Sequence, residues 1–297
     1  MFMKYKDFLG FLIMFLIMHS LKTEAGNLDV NKGTFTLSSG KYEIDISVEC
    51  KYTIRSIKYE DYYLCPPRGY NATVIVPECG KFIGAGHTEG GEEQIENIDF
   101  LVDGRKISPA IGKLYSGQKI VLKKTSTLDK LRLVSILEVT PECIIENKHF
   151  ECFDTQKISL MYIFFYCWNK STQEWYASLP DGKKLSGTFR NDKSYHMKED
   201  IKWAAEYDQL SNKGIIMYYP SVIHGKGLKS AFWDVGGIYH KYYHQIDIPG
   251  TISQGFKSPS MTIVLKGFSA NPDNWKDEVE RIAGRLNSSN NLFLSKP

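Results

Sequence analysis

Leu131-Arg-Leu-Val-Ser-Ile-Leu-Glu-Val139 and Tyr42-Glu-Ile-Asp-Ile-Ser-Val48 decide the fold class. In the first, Leu131, Leu133, Ser135, Leu137 and Val139 alternate with Arg132, Val134, Ile136 and Glu138. In the second, Tyr42, Ile44, Ile46 and Val48 alternate with polar residues. Successive side chains on a strand point to opposite faces, so a period of two marks a strand with one buried face. Thr73–Val76, Lys119–Lys123, Ile158–Trp168, Gly214–Tyr219 and Met261–Leu265 are further β-rich runs. Asp103-Gly104, Ser116-Gly117, Pro180-Asp-Gly182 and Asn212-Lys-Gly214 punctuate them as turns. The spacing predicts roughly a dozen to sixteen strands. One segment reads as a helix. Trp275, Val279, Ile282 and Leu286 share a face at helical spacing, with acids early and arginines late. The expectation is an all-β chain: a large antiparallel β-sandwich, supersandwich-like, with one C-terminal helix over about 273–287 and a frayed tail after it.

Residues 1–25 read as a secretory signal. Lys4 and Lys6 precede the apolar run Phe8–Met18, and Thr23-Glu-Ala25 offers small residues at a cleavage site. The run is shorter than the about 20 residues a membrane span needs. An uncleaved anchor is the other reading of the same segment. Residues 26–297 then form a single β-sandwich domain, secreted or periplasmic, with no membrane span after cleavage. The formal charge of the 297-residue chain is only +3, which gives no electrostatic argument for nucleic acid. The six cysteines permit disulfides in an exported chain. Cys65 and Cys79, flanking a proline-containing loop, are the pair best placed for one. There is no Cys-x-x-Cys pair to suggest zinc.

Gly80-Lys-Phe-Ile-Gly-Ala-Gly-His-Thr-Glu-Gly-Gly-Glu-Glu93 concentrates five glycines around His87 and Glu89. Glycine lets backbone approach a ligand closely. His87 and Glu89 share a face on extended backbone, and a carboxylate beside an imidazole prepares an acid–base group. An exposed glycine-rich hairpin is the alternative. In Tyr239–Gln245, His240, Tyr242 and His244 share one face of a strand. The two histidines are then about 13 Å apart and cannot ligate one metal. One face of that strand is expected to line a polar cleft shared with the glycine-rich loop. Trp168 and Trp233 close strand-like runs beside polar groups, an arrangement suited to stacking on a sugar and equally to a hydrogen-bonded core. Arg132 can bind a carboxylate bidentately or serve a structural ion pair.

The long antiparallel pattern, the leader and the His- and aromatic-rich strands resemble the β-supersandwich of galactose-mutarotase-like proteins. Gly84-Ala-Gly-His-Thr-Glu-Gly-Gly91 and Leu131-Arg-Leu-Val-Ser135 are also similar to exported bacterial proteins. The resemblance implies sugar chemistry with a His acid and a carboxylate base, roles that His87 with Glu89, or His240, would fill. The expected function is an exported carbohydrate-active protein using His/carboxylate acid–base chemistry, of lyase, hydrolase or epimerase type. His87 and Glu89 would be catalytic. Arg132, Trp168, Trp233, His240 and His244 would bind an oligosaccharide or polysaccharide. A non-catalytic glycan-binding module and a structural envelope protein are the alternatives. No cofactor, metal or nucleic-acid partner is expected.

Overall fold

The structure, a computed structural model, describes residues 33–67, 69, 71–86, 91–221, 229–246 and 251–293. The alternating run Leu131–Val139 is a strand with those bounds. It pairs antiparallel with Ile120–Leu128 on one side and Ile144–Cys152 on the other. These three lie within a ten-stranded sheet. Its order is Lys184–Thr188, Glu174–Ser178, Trp203–Asp208, Lys213–Tyr218, Met261–Ser269, Ile144–Cys152, Leu131–Val139, Ile120–Leu128, Gln94–Val102, Arg105–Lys106.

A seven-stranded sheet runs Tyr195–Glu199, Lys229–Val235, Tyr239–Ile246, Gln156–Asn169, Val74–Pro77, Ile83–Gly84, with Thr251–Ile252 pairing the long strand Gln156–Asn169. A five-stranded sheet completes the set: Tyr62–Cys65, Thr53–Tyr59, Tyr42–Ser47, Thr34–Ser39 and, in parallel, Leu114–Ser116. The described strands number 22, more than the spacing predicts, because two- and three-residue strands such as Arg105–Lys106 carry no periodicity.

One continuous apolar cluster fills the space among the sheets. It joins Leu122, Leu133 and Leu137 of the large sheet to Ile163, Phe164 and Phe232 of the seven-stranded one and to Phe35, Ile44 and Ile57 of the five-stranded one. Gly267 allows part of this contact: a side chain there would collide with the ring of Tyr59, at 2.4 Å, and the Gly267 N–H donates to the Tyr42 hydroxyl at 2.9 Å.

The predicted helix is present at Trp275–Ser288 and buries Trp275, Val279, Ile282, Ala283 and Leu286. Its stripe packs with Tyr176, Trp203, Tyr207, Tyr218 and Phe268 of the large sheet in a second cluster. Strand Trp203–Asp208 is therefore buried along its whole length and shows no alternation. As far as Phe293 the chain after the helix is tied down, not frayed. Asn290–Phe293 forms a further helical turn, and the Tyr218 hydroxyl lies 3.0 Å from Asn287 Oδ1 and 2.7 Å from Asn290 Oδ1. The six cysteines are free thiols. Cys65 is buried with its Sγ against Asn71 Oδ1 at 3.2 Å, while Cys79 is exposed.

Trp275 stacks on Tyr207 at 5.0 Å and meets Tyr176 edge-on at 6.0 Å. Trp275→Ala should lower the urea-unfolding free energy by about 3–5 kcal/mol, the usual cost of emptying a buried tryptophan site. A loss below about 1 kcal/mol would show that the helix does not depend on this anchor.

Candidate functional site

The apolar faces of the three central strands of the large sheet fail in one place. Register pairs Lys124 with Ser135, and Ser135 with Lys148. Leu137 is likewise flanked by Leu122 and Glu146. Two lysines and a glutamate therefore point inward where leucine and isoleucine are the rule, with a small serine between the lysines. Glu93, directly after the glycine-rich segment, supplies the fourth charge.

Each charge has a partner. Lys124 Nζ lies 3.0 and 3.1 Å from the two Glu93 carboxylate oxygens and donates to the Lys51 carbonyl at 2.8 Å. The two side chains are 7% and 0% exposed. Lys148 Nζ lies 2.9 Å from Glu146 Oε2, donates to the Ile163 carbonyl at 3.2 Å and sits 4.9 Å above the Phe164 ring. The Tyr166 hydroxyl donates to Glu146 Oε1 at 2.9 Å. Burial pulls the Lys124 pKa down, opposed by the Glu93 charge. Burial, then Glu146, pushes the Tyr166 phenol well up, so it remains a neutral donor. A cavity of about 40 Å³ lies against Lys124, Lys148, Glu146, Ser135, Thr73 and Ala85. It has room for two or three waters and not for a sugar ring.

A second polar layer adjoins this one, built from the seven-stranded sheet together with Tyr219, which follows strand Lys213–Tyr218 of the large sheet. The Tyr219 and Tyr242 hydroxyls are 2.6 Å apart, and Ser230 Oγ lies 2.9 Å from both Tyr242 OH and His244 Nδ1. Tyr166 stacks on Tyr242 at 6.4 Å, and Phe164 lies 6.4 Å from His244, so the two layers are continuous. A third group centres on Asp234. Its Oδ2 accepts from the Asn191 N–H at 2.7 Å and lies 2.6 Å from His196 Nε2, while Oδ1 contacts His240 Nδ1. The other His240 nitrogen donates to the Thr172 carbonyl at 3.0 Å, and Phe189 stacks on its ring at 3.9 Å.

His87 and Glu89 lie outside the described residues. Of their neighbours in sequence, Ala85 lines the cavity and Glu93 holds Lys124. Arg132 is exposed and pairs with Glu96 at 2.9 Å, the structural role left open for it. Trp168 is fully buried, stacked on Tyr166 at 4.9 Å, with its N–H 3.2 Å from Met217 Sδ. Trp233 is half-buried, 6.3 Å from the exposed ring of Tyr195, and donates to the Lys193 carbonyl at 3.0 Å.

His240, Tyr242 and His244 do share a face, and that face is core, 0%, 0% and 3% exposed. One of the strand's two faces was expected to line a polar cleft, and this one does not. Asp234, Thr172, Ser230 and Tyr219 supply its partners from within the protein, save at His244 Nε2, which has none among the described residues. The sequence reading did not single out Glu93, Lys124, Glu146, Lys148, Tyr166, His196 or Asp234. Charged residues at inward positions of otherwise apolar strands were the available signal for the two lysines and Glu146.

No family model matches the sequence, and no curated protein matches it. Solved structures do. A galactose mutarotase-like protein from Lactobacillus casei aligns over 80% of this chain and 100% of its own, with 9% identity and a TM-score of 0.51. An α-galactosidase from Lactobacillus brevis aligns over 81% of this chain at 8% identity and a TM-score of 0.52. An α-galactosidase from Geobacillus stearothermophilus aligns over 80% at 8% identity and a TM-score of 0.50. The chain spans about 40% of the length of these galactosidases. At such identity the likeness is one of fold: this chain has a galactose-mutarotase-like all-β architecture.

Burial pushes the His244 pKa from 6.5 down to about 3. The unfolded chain then binds the proton better than the folded one. The stability this histidine contributes is complete above about pH 6.5. It is lost as the pH falls toward 3, at up to about 1.4 kcal/mol per pH unit. His244→Gln should therefore flatten the fall of unfolding free energy across that window. Identical slopes in the variant and the wild type would remove His244 as the source.

Proposed function

We propose that the protein is carbohydrate-active and that its proton-transfer centre is the cavity between Lys124 and Lys148. One observation carries the reading: two buried Lys–Glu pairs meet at a cavity, in a fold shared with a galactose mutarotase-like protein. Changing the configuration at an anomeric carbon, or cleaving a glycosidic bond, uses a proton donor at one oxygen and a proton acceptor or nucleophile at a second position. Glu146 is the proton acceptor in this scheme, oriented by Tyr166 and Lys148. The lysine ammonium groups stabilise charge developing on a hydroxyl or carbonyl oxygen. The cavity admits such a group and excludes the ring that carries it.

The test is a screen of wild-type protein for mutarotation, for release of reducing ends and for unsaturated products. Turnover in one assay is expected. Glu146→Gln should lower kcat by about 100-fold or more, the usual scale of a lost acid–base group; because it also leaves Lys148 buried without its ion partner, its unfolding free energy is measured alongside and turnover is compared on the folded fraction. A glycan array provides the other arm. A wild type that shows no turnover and retains no glycan overturns the proposal.

Binding without turnover would favour the module reading, which has its own support. Tyr195 is 54% exposed beside Trp233, with Lys198 Nζ 5.6 Å from the Tyr195 ring, an arrangement suited to the face of a sugar. Loss of that binding in Trp233→Ala would locate it. Export belongs to the same proposal, on the strength of the basic start, apolar run and small residues within 1–25. Mass spectrometry of the mature protein should find an N-terminus close to Gly26; a soluble product retaining Met1 to Met18 counts against export.

A further inference from the structure

We propose that Asp192, His196 and Asp234 form a site for one divalent first-row transition metal ion of the zinc type. Their ligand atoms, one imidazole nitrogen and two carboxylate oxygens, all lie within 4.8 Å of one another. Nitrogen and oxygen donors in this mixture suit zinc and its neighbours better than calcium or magnesium, which prefer oxygen alone. The site is separate from the cavity of the preceding section and does not rest on it.

The fold assembles the three residues deliberately. Asp234 lies on strand Lys229–Val235, which pairs with Tyr195–Glu199. The register between those strands slips between Tyr195 and Met197, at His196. Such a bulge turns a side chain away from its regular direction. The imidazole of His196 is 3% exposed and meets Asp234 Oδ2 at 2.6 Å. Asp192 comes from the preceding turn and is exposed, held by Arg190 at 3.0 Å and by Ser194. Two inner ligands and one at the rim leave a way in for an ion.

The inner ligands are also braced from behind, as metal ligands usually are. Asp234 Oδ1 is held by His240, whose other nitrogen is fixed on the Thr172 carbonyl. Asn191 N–H fixes Oδ2. Behind Thr172 lies Glu206, fully buried, with one oxygen 2.9 Å from the Thr172 hydroxyl. Three carboxyl groups and two imidazoles thus gather here, with Arg190 in ion-pair contact at the rim. That balance favours a cation. Tetrahedral ligation at about 2 Å places ligand atoms roughly 3.3 Å apart. The His196–Asp234 pair must open slightly and Asp192 must move inward, which its exposure permits.

The experiment uses tag-free full-length protein, reduced and stripped with chelator, titrated with ZnCl₂ by calorimetry and with CoCl₂ by visible absorption. The expected result is one ion per chain, a raised Tm and a Co²⁺ spectrum without thiolate bands, which excludes the free cysteines. Asp192→Asn, at an exposed position, should weaken binding beyond the about 10- to 100-fold that loss of a ligand's supporting bond costs. His196→Gln should abolish it. No uptake by the wild type overturns the proposal, as does uptake unchanged in Asp192→Asn or a thiolate spectrum.

Discussion

Lys124 and Lys148 can stand between two sheets only because Glu93 and Glu146 stand there with them. An unpaired ion at such a position costs several kcal/mol even after relaxation. The pairing fixes more than its own contacts. Slipping Leu131–Val139 by one residue would carry its leucines to the opposite face and break the row Lys124–Ser135–Lys148. Lys148 also donates to the Ile163 carbonyl and Tyr166 donates to Glu146, both across to the seven-stranded sheet. Register within one sheet and distance between two are thereby set by the same few atoms.

The rest of the polar interior follows from that seam. Tyr166 passes the contact on to Tyr242, and Tyr242 to Tyr219 and Ser230. Strand Tyr239–Ile246 must keep this polar face toward them, which directs Tyr239, Lys241 and Tyr243 to the opposite face, where Tyr243 is buried against Phe165 and Tyr162. His240 lies on the same inward face and delivers its ring to Asp234. The segment 189–194 crosses from the edge of the large sheet to the edge of the smaller one, and Asp234 holds it through Asn191. Closure at that edge and polar satisfaction in the core are one arrangement.

Legibility in the sequence divides along the same line. Local periodicity was enough to place Leu131–Val139 and the helix stripe of Trp275, Val279, Ile282 and Leu286, because one face of each is uniformly apolar. Inward polar residues break that pattern at Lys124, Ser126, Glu146 and Lys148, a signal the sequence holds but which the sequence reading did not take up. Their partners were not, since Glu93 reaches Lys124 from 31 residues away and Asp234 reaches His196 from 38. Such pairs exist only once strands are paired. The polar face of His240, Tyr242 and His244 shows the opposite difficulty. Composition says that a side chain needs a hydrogen-bond partner, but not whether water or Ser230 supplies it.

These polar groups differ in what they ask of the fold. The His240 nitrogens are both engaged, as is His244 Nδ1, and aromatic rings cover both histidines, which is what a core needs to stay ordered. The Lys–Glu pairs are another case. Well-packed apolar residues of similar volume generally serve stability as well as a buried ion pair or better. A chain selected for packing alone would have continued the leucine rows through positions 124, 146 and 148. It has instead kept four charges, a small serine between two of them and a space of about 40 Å³ beside them. Charges kept at a solvation cost, next to a space a hydroxyl can enter, are what the proposed proton-transfer centre rests on.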